Sequence, residues 1–235
     1  MLEITGLKKN FGGLEALKGI DVRLPDRSIL GVIGMNGSGK TTMLNCINGL
    51  YTVSAGSIRL DGTELVGREP HEIARRGVGR TFQVPKLFQR LSLIENLEVP
   101  LGHHGHDDGE VHARIEEWLG RVQLYALRHN YAEELSGGQQ KLLELARIMV
   151  TKPKVVLLDE PFAGVNPALA LLLIEIIRTI PDQHGCAVML VSHDLTSIYR
   201  LSDHIIVLNE GRLLCEGDAD RVRNDPAVVE AYLGV

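Results

Sequence analysis

Gly34-Met35-Asn36-Gly37-Ser38-Gly39-Lys40-Thr41 is the stretch that decides the fold. It fits the pattern of a glycine, four residues, then Gly-Lys-Ser/Thr in full, and its flanks matter as much as its letters. Before it, Ser28 to Gly34 is an apolar run that reads as a strand, and after it Lys40 to Gly49 has helical composition. Strand, glycine-rich turn and helix in that order build a phosphate cradle. Glycines let backbone N–H groups curl around phosphate oxygens, the positive end of the helix points at them, and Lys40 supplies a cation. The expected contacts are Gly34, Asn36, Gly37, Ser38, Gly39, Lys40, Thr41 and Thr42, with the Thr41 hydroxyl also a magnesium ligand.

Downstream, Val155-Val156-Leu157-Leu158-Asp159-Glu160 sets two carboxylates at the end of an apolar strand, where an open α/β sheet presents its ligand site. Asp159 is the candidate to hold magnesium, and Glu160 to polarise the water that attacks a γ-phosphate. Alone, such a strand end is more often merely solvated. Cys186 to Ser192 and His204 to Leu208 are further short apolar runs separated by helical segments, an alternation that implies parallel βαβ units. Gly211 to Gly217 reads as another strand and Pro226 to Leu233 as a terminal helix. Nearer the start, Leu2 to Leu24 shows β-type runs broken at Gly12-Gly13 and at Gly19, and Ser57 to Asp61 is a strand. From Ser92 to Thr151 the pattern turns helical, as in Ile115-Leu119-Val122, and reads as an inserted lobe.

At 235 residues, 44% apolar and 23% charged, the chain has the composition of a globular domain near the upper size for one core. A net charge of -5 with no long basic patch argues against nucleic acid. Three scattered cysteines argue against a disulfide framework or zinc site and for a reducing compartment. Met1-Leu2-Glu3-Ile4 has no secretory character, and the most apolar run, Ala168 to Ile177, contains Glu175 and is half the roughly 20 residues a membrane span needs. It reads as a buried helix face, so any work at a membrane requires an integral partner. His103, His104, His106, Asp107 and His112 lie in a glycine-rich stretch that reads as a solvated loop rather than a rigid metal site.

Between the phosphate loop and the carboxylates stands Leu135-Ser136-Gly137-Gly138-Gln139-Gln140, at the start of a helical run. A serine and two glycines at a helix start offer a second anion-binding end, which one phosphate site does not need. The motif resembles the signature of ATP-binding-cassette (ABC) ATPases, and the resemblance extends over nearly the whole chain. It implies an α/β P-loop NTPase cassette: an N-terminal antiparallel β-subdomain, a RecA-like parallel-sheet core over 1–91 and 152–235, and the helical lobe over 92–151. It implies ATP and Mg2+ as ligands, with Ser136, Gly137, Gly138 and Gln139 facing the nucleotide of a second ATPase subunit across a head-to-tail dimer. Gln83 looks like the glutamine that senses magnesium and the attacking water, and His193 like the switch histidine at the γ-phosphate. Phe11 looks like the aromatic that stacks on adenine, a place often held by Tyr; a core phenylalanine is the alternative. Asn166 stands where most members carry Asp.

Within the family, Arg80-Thr81-Phe82-Gln83, Leu87-Phe88, Ile94-Glu95-Asn96-Leu97, Gly164-Val165-Asn166-Pro167 and Glu230-Ala231-Tyr232-Leu233-Gly234 resemble the branched-chain (hydrophobic) amino-acid importers. That implies peripheral attachment at the cytoplasmic face of the inner membrane to integral permease subunits, and indirect service to an extracytoplasmic solute-binding protein. Val84 to Arg90 is where such ATPases receive a permease helix. Lipopolysaccharide-export ATPases share a similar stretch from Pro161 to Val165, and urea or amide importers are also close. Repair and ribosome-associated ABC ATPases carry coiled coils or fused cassettes that this chain lacks, and a switch without turnover would have lost Glu160.

Overall fold

A computed structural model of the chain describes residues 1–102 and 108–233. His103, His104, His106, Asp107 and Gly234 lie outside the described residues. In chain order the elements are β1 (Leu2–Phe11), β2 (Leu14–Leu24), β3 (Ile29–Ile33), α1 (Lys40–Ile47), β4 (Ala55–Leu60), β5 (Thr63–Glu64), α2 (Pro70–Arg75) and β6 (Val78–Arg80). Then follow α3 (Leu93–Glu98), α4 (Asp108–Arg121), α5 (Gly137–Met149), β7 (Val155–Asp159), α6 (Pro167–His184), β8 (Ala187–Val191) and α7 (Leu195–Leu201). The chain closes with β9 (His204–Asn209), β10 (Arg212–Gly217), α8 (Ala219–Asn224) and α9 (Pro226–Leu233).

The strands form two sheets. An antiparallel one has the order β2-β1-β4-β5, and a six-stranded one the order β10-β9-β3-β8-β7-β6. In the larger sheet every pairing is parallel except that of β9 with β10, which adds an antiparallel edge to the parallel core. Its central strands are apolar throughout because both faces are covered. Leu30 and Val32, Val155 and Leu157, and Met189 and Val191 turn to the core shared with α1 and the antiparallel sheet. Ile29 and Ile33, Val156 and Leu158, and Val188 and Leu190 turn to the core shared with α5, α6 and the helical segment.

Two expectations change. Gly19 does not end a strand: with φ +96° it lies within β2 at a register shift against β1, between Lys18↔Lys8 and Ile20↔Leu7. A glycine tolerates that backbone, so the strand bulges and continues. The run from Ala168 to Ile177 is not a wholly buried face: Leu173, Ile174, Ile176 and Ile177 are buried, while Leu171 is 54% exposed. The helix period of 3.6 carries Leu171 away from the core.

The helical segment is fixed by polar contacts at its entry as well as by packing against α6. Trp118 of α4 is buried against the His184 ring at the end of α6, 4.9 Å between centroids. Ser92 and Glu95 close a capping box at the start of α3. Asn96, fully buried, donates from Nδ2 to the carbonyls of Phe88 (3.0 Å), Leu91 (3.2 Å) and Ser92 (3.0 Å) and accepts the Phe88 N–H (2.9 Å). That one amide fixes the entry to the segment. Replacing it with Asn96→Ala leaves buried backbone groups unpaired and should destabilise the fold by about 2–4 kcal/mol, read as a lower urea midpoint.

Candidate functional site

Parallel strands in register end together. Val32 of β3, Val191 of β8 and Asp159 of β7 lie in one row, so the residues that follow each strand emerge on the same edge. After β3 comes the glycine-rich loop. At Gly34, φ +151°, a Cβ would lie 2.2 Å from the Leu208 carbonyl oxygen; at Gly39, φ +105°, it would lie 2.7 Å from Leu17 Cδ2. Both positions demand glycine for backbone angle and for space. Gly39 caps α1, whose first residue, Lys40, is buried and folds back over the loop. Lys40 Nζ donates to the carbonyls of Gly34 at 2.7 Å and Met35 at 3.0 Å. Burial pulls its pKa down, against the opposing attraction of Glu160 and Asp159.

Beneath the loop lies a buried ion pair. Arg80, the last residue of β6, donates from Nη2 to Asp159 Oδ2 at 3.1 Å and from Nη1 to Asn45 Oδ1 at 2.6 Å. The other carboxylate oxygen, Oδ1, is 3.5 Å from the Thr41 hydroxyl, and the Asp159 N–H donates to Thr81 Oγ1 at 3.2 Å. Thr41 and Asp159 thus present two hard oxygen donors side by side, with the carboxylate's other oxygen on the Arg80 guanidinium. Such a donor pair fits a magnesium ion.

Glu160 turns out of the β7 line with φ +51° and offers its N–H to the Val191 carbonyl at 2.9 Å. Its side chain is 13% exposed, and Oε2 is 2.6 Å from His193 Nδ1 and accepts the His193 N–H at 3.2 Å. The imidazole itself is largely open to solvent.

These groups face an open cleft of about 950 Å³. Phe11, Gly34, Asn36, Gly37, Gly39, Lys40, Thr41, Thr42, Gln83, Glu160 and His193 line it, while Ser38 and Asp159 are buried. Phe11 is 42% exposed, with Tyr51 edge-on at 5.2 Å and Lys9 Nζ 4.6 Å from its ring centre. It is therefore a rim residue rather than core.

Ser136, Gly137, Gly138 and Gln139 do not line the cleft. They form the start of α5, where Ser136 Oγ accepts the Gln139 N–H at 3.4 Å and Gln139 Oε1 accepts the Ser136 N–H at 3.0 Å. Ser136 and Gly137 are exposed, and a Cβ on Gly137 would meet open space. Gly138 is held by packing, since a Cβ there would lie 2.9 Å from Leu169 Cδ1. Asn166 caps α6, its Oδ1 accepting the Leu169 N–H at 3.0 Å.

Four residues near the site escaped sequence reading. Arg80 was visible only as part of a motif. Lys141 and Glu144 are charges on the buried flank of α5, and their spacing of three reads in the sequence as an ordinary solvated helix face. Tyr232 of α9 reaches the cleft from the far end of the chain, and burial pushes its pKa up to about 12. No spacing in the sequence ties it to the loop.

His112 sits on α4 with Nε2 3.5 Å from Glu116 Oε1. Among the described residues no group of three His, Cys, Asp or Glu side chains could hold a metal ion, and no helix is long and apolar enough to cross a membrane.

Comparison with known proteins agrees with this architecture. A family model described as "ABC transporter" matches residues 17–163, and one described as "Branched-chain amino acid ATP-binding cassette transporter" matches residues 212–235. The chain is 38% identical over 249 residues to the high-affinity branched-chain amino acid transport ATP-binding protein BraF of Pseudomonas aeruginosa, covering 100% of this chain and 98% of that one. It is 38% identical over 250 residues to LivG of Escherichia coli, which bears the same description, with the same coverage. Among solved structures, a nucleotide-free ATP-binding cassette from an ABC transporter superposes with TM-score 0.90 at 30% identity, covering 100% of this chain and 99% of that one. The ADP conformation of the cassette MJ1267 gives TM-score 0.89 at 30% identity, with 100% and 99% covered. A dimeric cassette, MJ0796 bound to ADP and phosphate, gives 0.84 at 25% identity, with 93% and 99% covered. Matched along its whole length by such relatives, the chain belongs to the ABC transporter family, as an ATP-hydrolysing cassette.

Proposed function

We propose that this cassette energises an importer for branched-chain or other hydrophobic amino acids. The observation that carries the choice of solute class is the end-to-end similarity to two ATP-binding proteins of such transporters, supported by the separate match over residues 212–235. In this reading residues 1–91 and 152–235 form the nucleotide-binding core and 92–151 the lobe. Its partners are integral permease subunits at the cytoplasmic face of the inner membrane, a second cassette, and indirectly an extracytoplasmic binding protein; nucleic acid is not among them.

The chemistry follows from the cleft. The loop backbone, Ser38, Thr42 and Lys40 bind the phosphates, and Phe11 stacks on the base. Thr41, Asp159 and Gln83 would hold magnesium, which when bound neutralises charge on the β- and γ-phosphates. Glu160 orients a water toward the γ-phosphorus and takes its proton as the bond to the β-bridging oxygen breaks, giving ADP and phosphate. His193 holds the Glu160 carboxylate at its Nδ1 and meets the γ-phosphate with the remainder of the ring. Ser136, Gly137, Gly138 and Gln139 bind the nucleotide of the opposite subunit, which explains why they cap an exposed helix end away from their own cleft.

Three outcomes are expected. Glu160→Gln should bind ATP with near-unchanged affinity, lose turnover by about 10²–10⁴-fold, and elute as a dimer when ATP is present; turnover within a few-fold of the parent would remove Glu160 from the role. Lys40→Ala, which deletes a charge-assisted contact, should weaken ATP binding roughly 10–100-fold in a direct nucleotide titration. Tagged Glu160→Gln protein captured with ATP from solubilised native membranes should bring down two permeases and a second cassette, identified by mass spectrometry. Permeases of another transport class would reassign the solute, and a soluble partner alone would end the transport reading.

A further inference from the structure

Helix α5 begins at the exposed Ser136 and, at 1.5 Å per residue over 13 residues, runs about 20 Å into the protein. Along its buried flank it carries Lys141 and Glu144, 9% and 1% exposed, with Arg147 one position further in the same series. Residues three apart share a helix face, so the three form one polar strip among leucines. Together they hold the backbone of two loops. Lys141 Nζ donates to the carbonyls of Glu160 and Ala163, both at 2.7 Å. Glu144 accepts the N–H of Phe82 at 3.1 Å and that of Lys86 at 2.7 Å, while Arg147 donates to the Lys86 carbonyl. Gln83 therefore lies inside the segment that Glu144 grips at both ends, and Glu160 heads the loop that Lys141 grips.

Buried charges are costly where leucine would pack, and burial shifts both groups toward their neutral forms: the Lys141 pKa falls and the Glu144 pKa rises. What offsets that cost is the backbone each one fixes. We propose that Lys141 and Glu144 are positioning residues that make α5 a lever, delivering any displacement of the signature end at Ser136 to the Gln83 segment and the Glu160 loop of the same subunit as one movement. This rests on the hydrolytic, dimeric reading above. Nucleotide held in one composite site then sets the geometry of the water-handling side chains in the other. The neutral Asn166 cap carries no charge across that gap, and the lever supplies a mechanical route in its place.

The test uses the full chain, with its permeases where they co-purify, and the variants Lys141→Met, Lys141→Arg and Glu144→Gln. Steady-state ATP hydrolysis gives kcat and KM, and a separate nucleotide titration gives Kd. Lys141→Met and Glu144→Gln should each lower kcat about tenfold or more with Kd for ATP within about twofold of the parent, because the phosphate loop is untouched. Lys141→Arg should recover half or more of the parent kcat. Unchanged kcat in both disrupted variants, loss of Kd in step with kcat, or an arginine variant as slow as the methionine one would overturn the lever. Should Lys141→Met not fold, Lys141→Arg and Glu144→Gln still decide the question. A parent chain that binds ATP without turnover would instead strike the hydrolytic reading itself, so the two failures are distinguishable.

Discussion

Register across the three central parallel strands is the constraint on which the site depends. Because Val32, Val191 and Asp159 share a row, the phosphate loop, the Ser192-His193 turn and the two carboxylates all leave the sheet at one edge. A slip of one residue in β7 would exchange the faces of its side chains, putting Val156 and Leu158 where Val155 and Leu157 now pack. Asp159 would then lose both Arg80 and Thr41. The two-sided apolar core therefore fixes more than stability: it sets the positions of charges to within a hydrogen bond.

Glu160 shows how local strain is held in place. A non-glycine residue in the left-handed region costs about 1–2 kcal/mol. Here the peptide before Glu160 is tied to β8 through Val191, the peptide after it is tied to α5 through Lys141, and the side chain is tied to His193. With all three fixed, the carboxylate has little freedom to relax, which is the preorganisation an acid–base group benefits from. The ion pair below is held in a comparable way, because removing either Arg80 or Asp159 strands a buried charge.

Much of this was legible in the sequence wherever physics writes a local pattern. Strands covered on both faces must be apolar without alternation, so β3, β7, β8 and β9 stand out, and a phosphate cradle needs glycines at spacings that Gly34 to Gly39 display. What stayed hidden was non-local or short. β6 is three residues long and contains Gly79 and Arg80, so no propensity marks it; only pairing with β7 makes it a strand. The bulge at Gly19 reads as a stop because a glycine inside a strand and one between strands look alike. Lys141 and Glu144 look like the solvated side of an amphipathic helix until packing shows both flanks covered. Tyr232 belongs beside Gly34 for reasons that lie in the path of α9 rather than in any neighbour.

All three cysteines, Cys46, Cys186 and Cys215, are buried and unbridged, and burial lifts their thiols above the ordinary range, Cys46 to about 11 and Cys186 to about 12. Cys46 lies on the helix that follows the phosphate loop. Thiolates are the reactive species of cysteine, so a thiol-directed alkylating reagent meets almost no reactive cysteine on the folded chain. Inactivation by such a reagent would therefore report opening of the core rather than chemistry at the cleft.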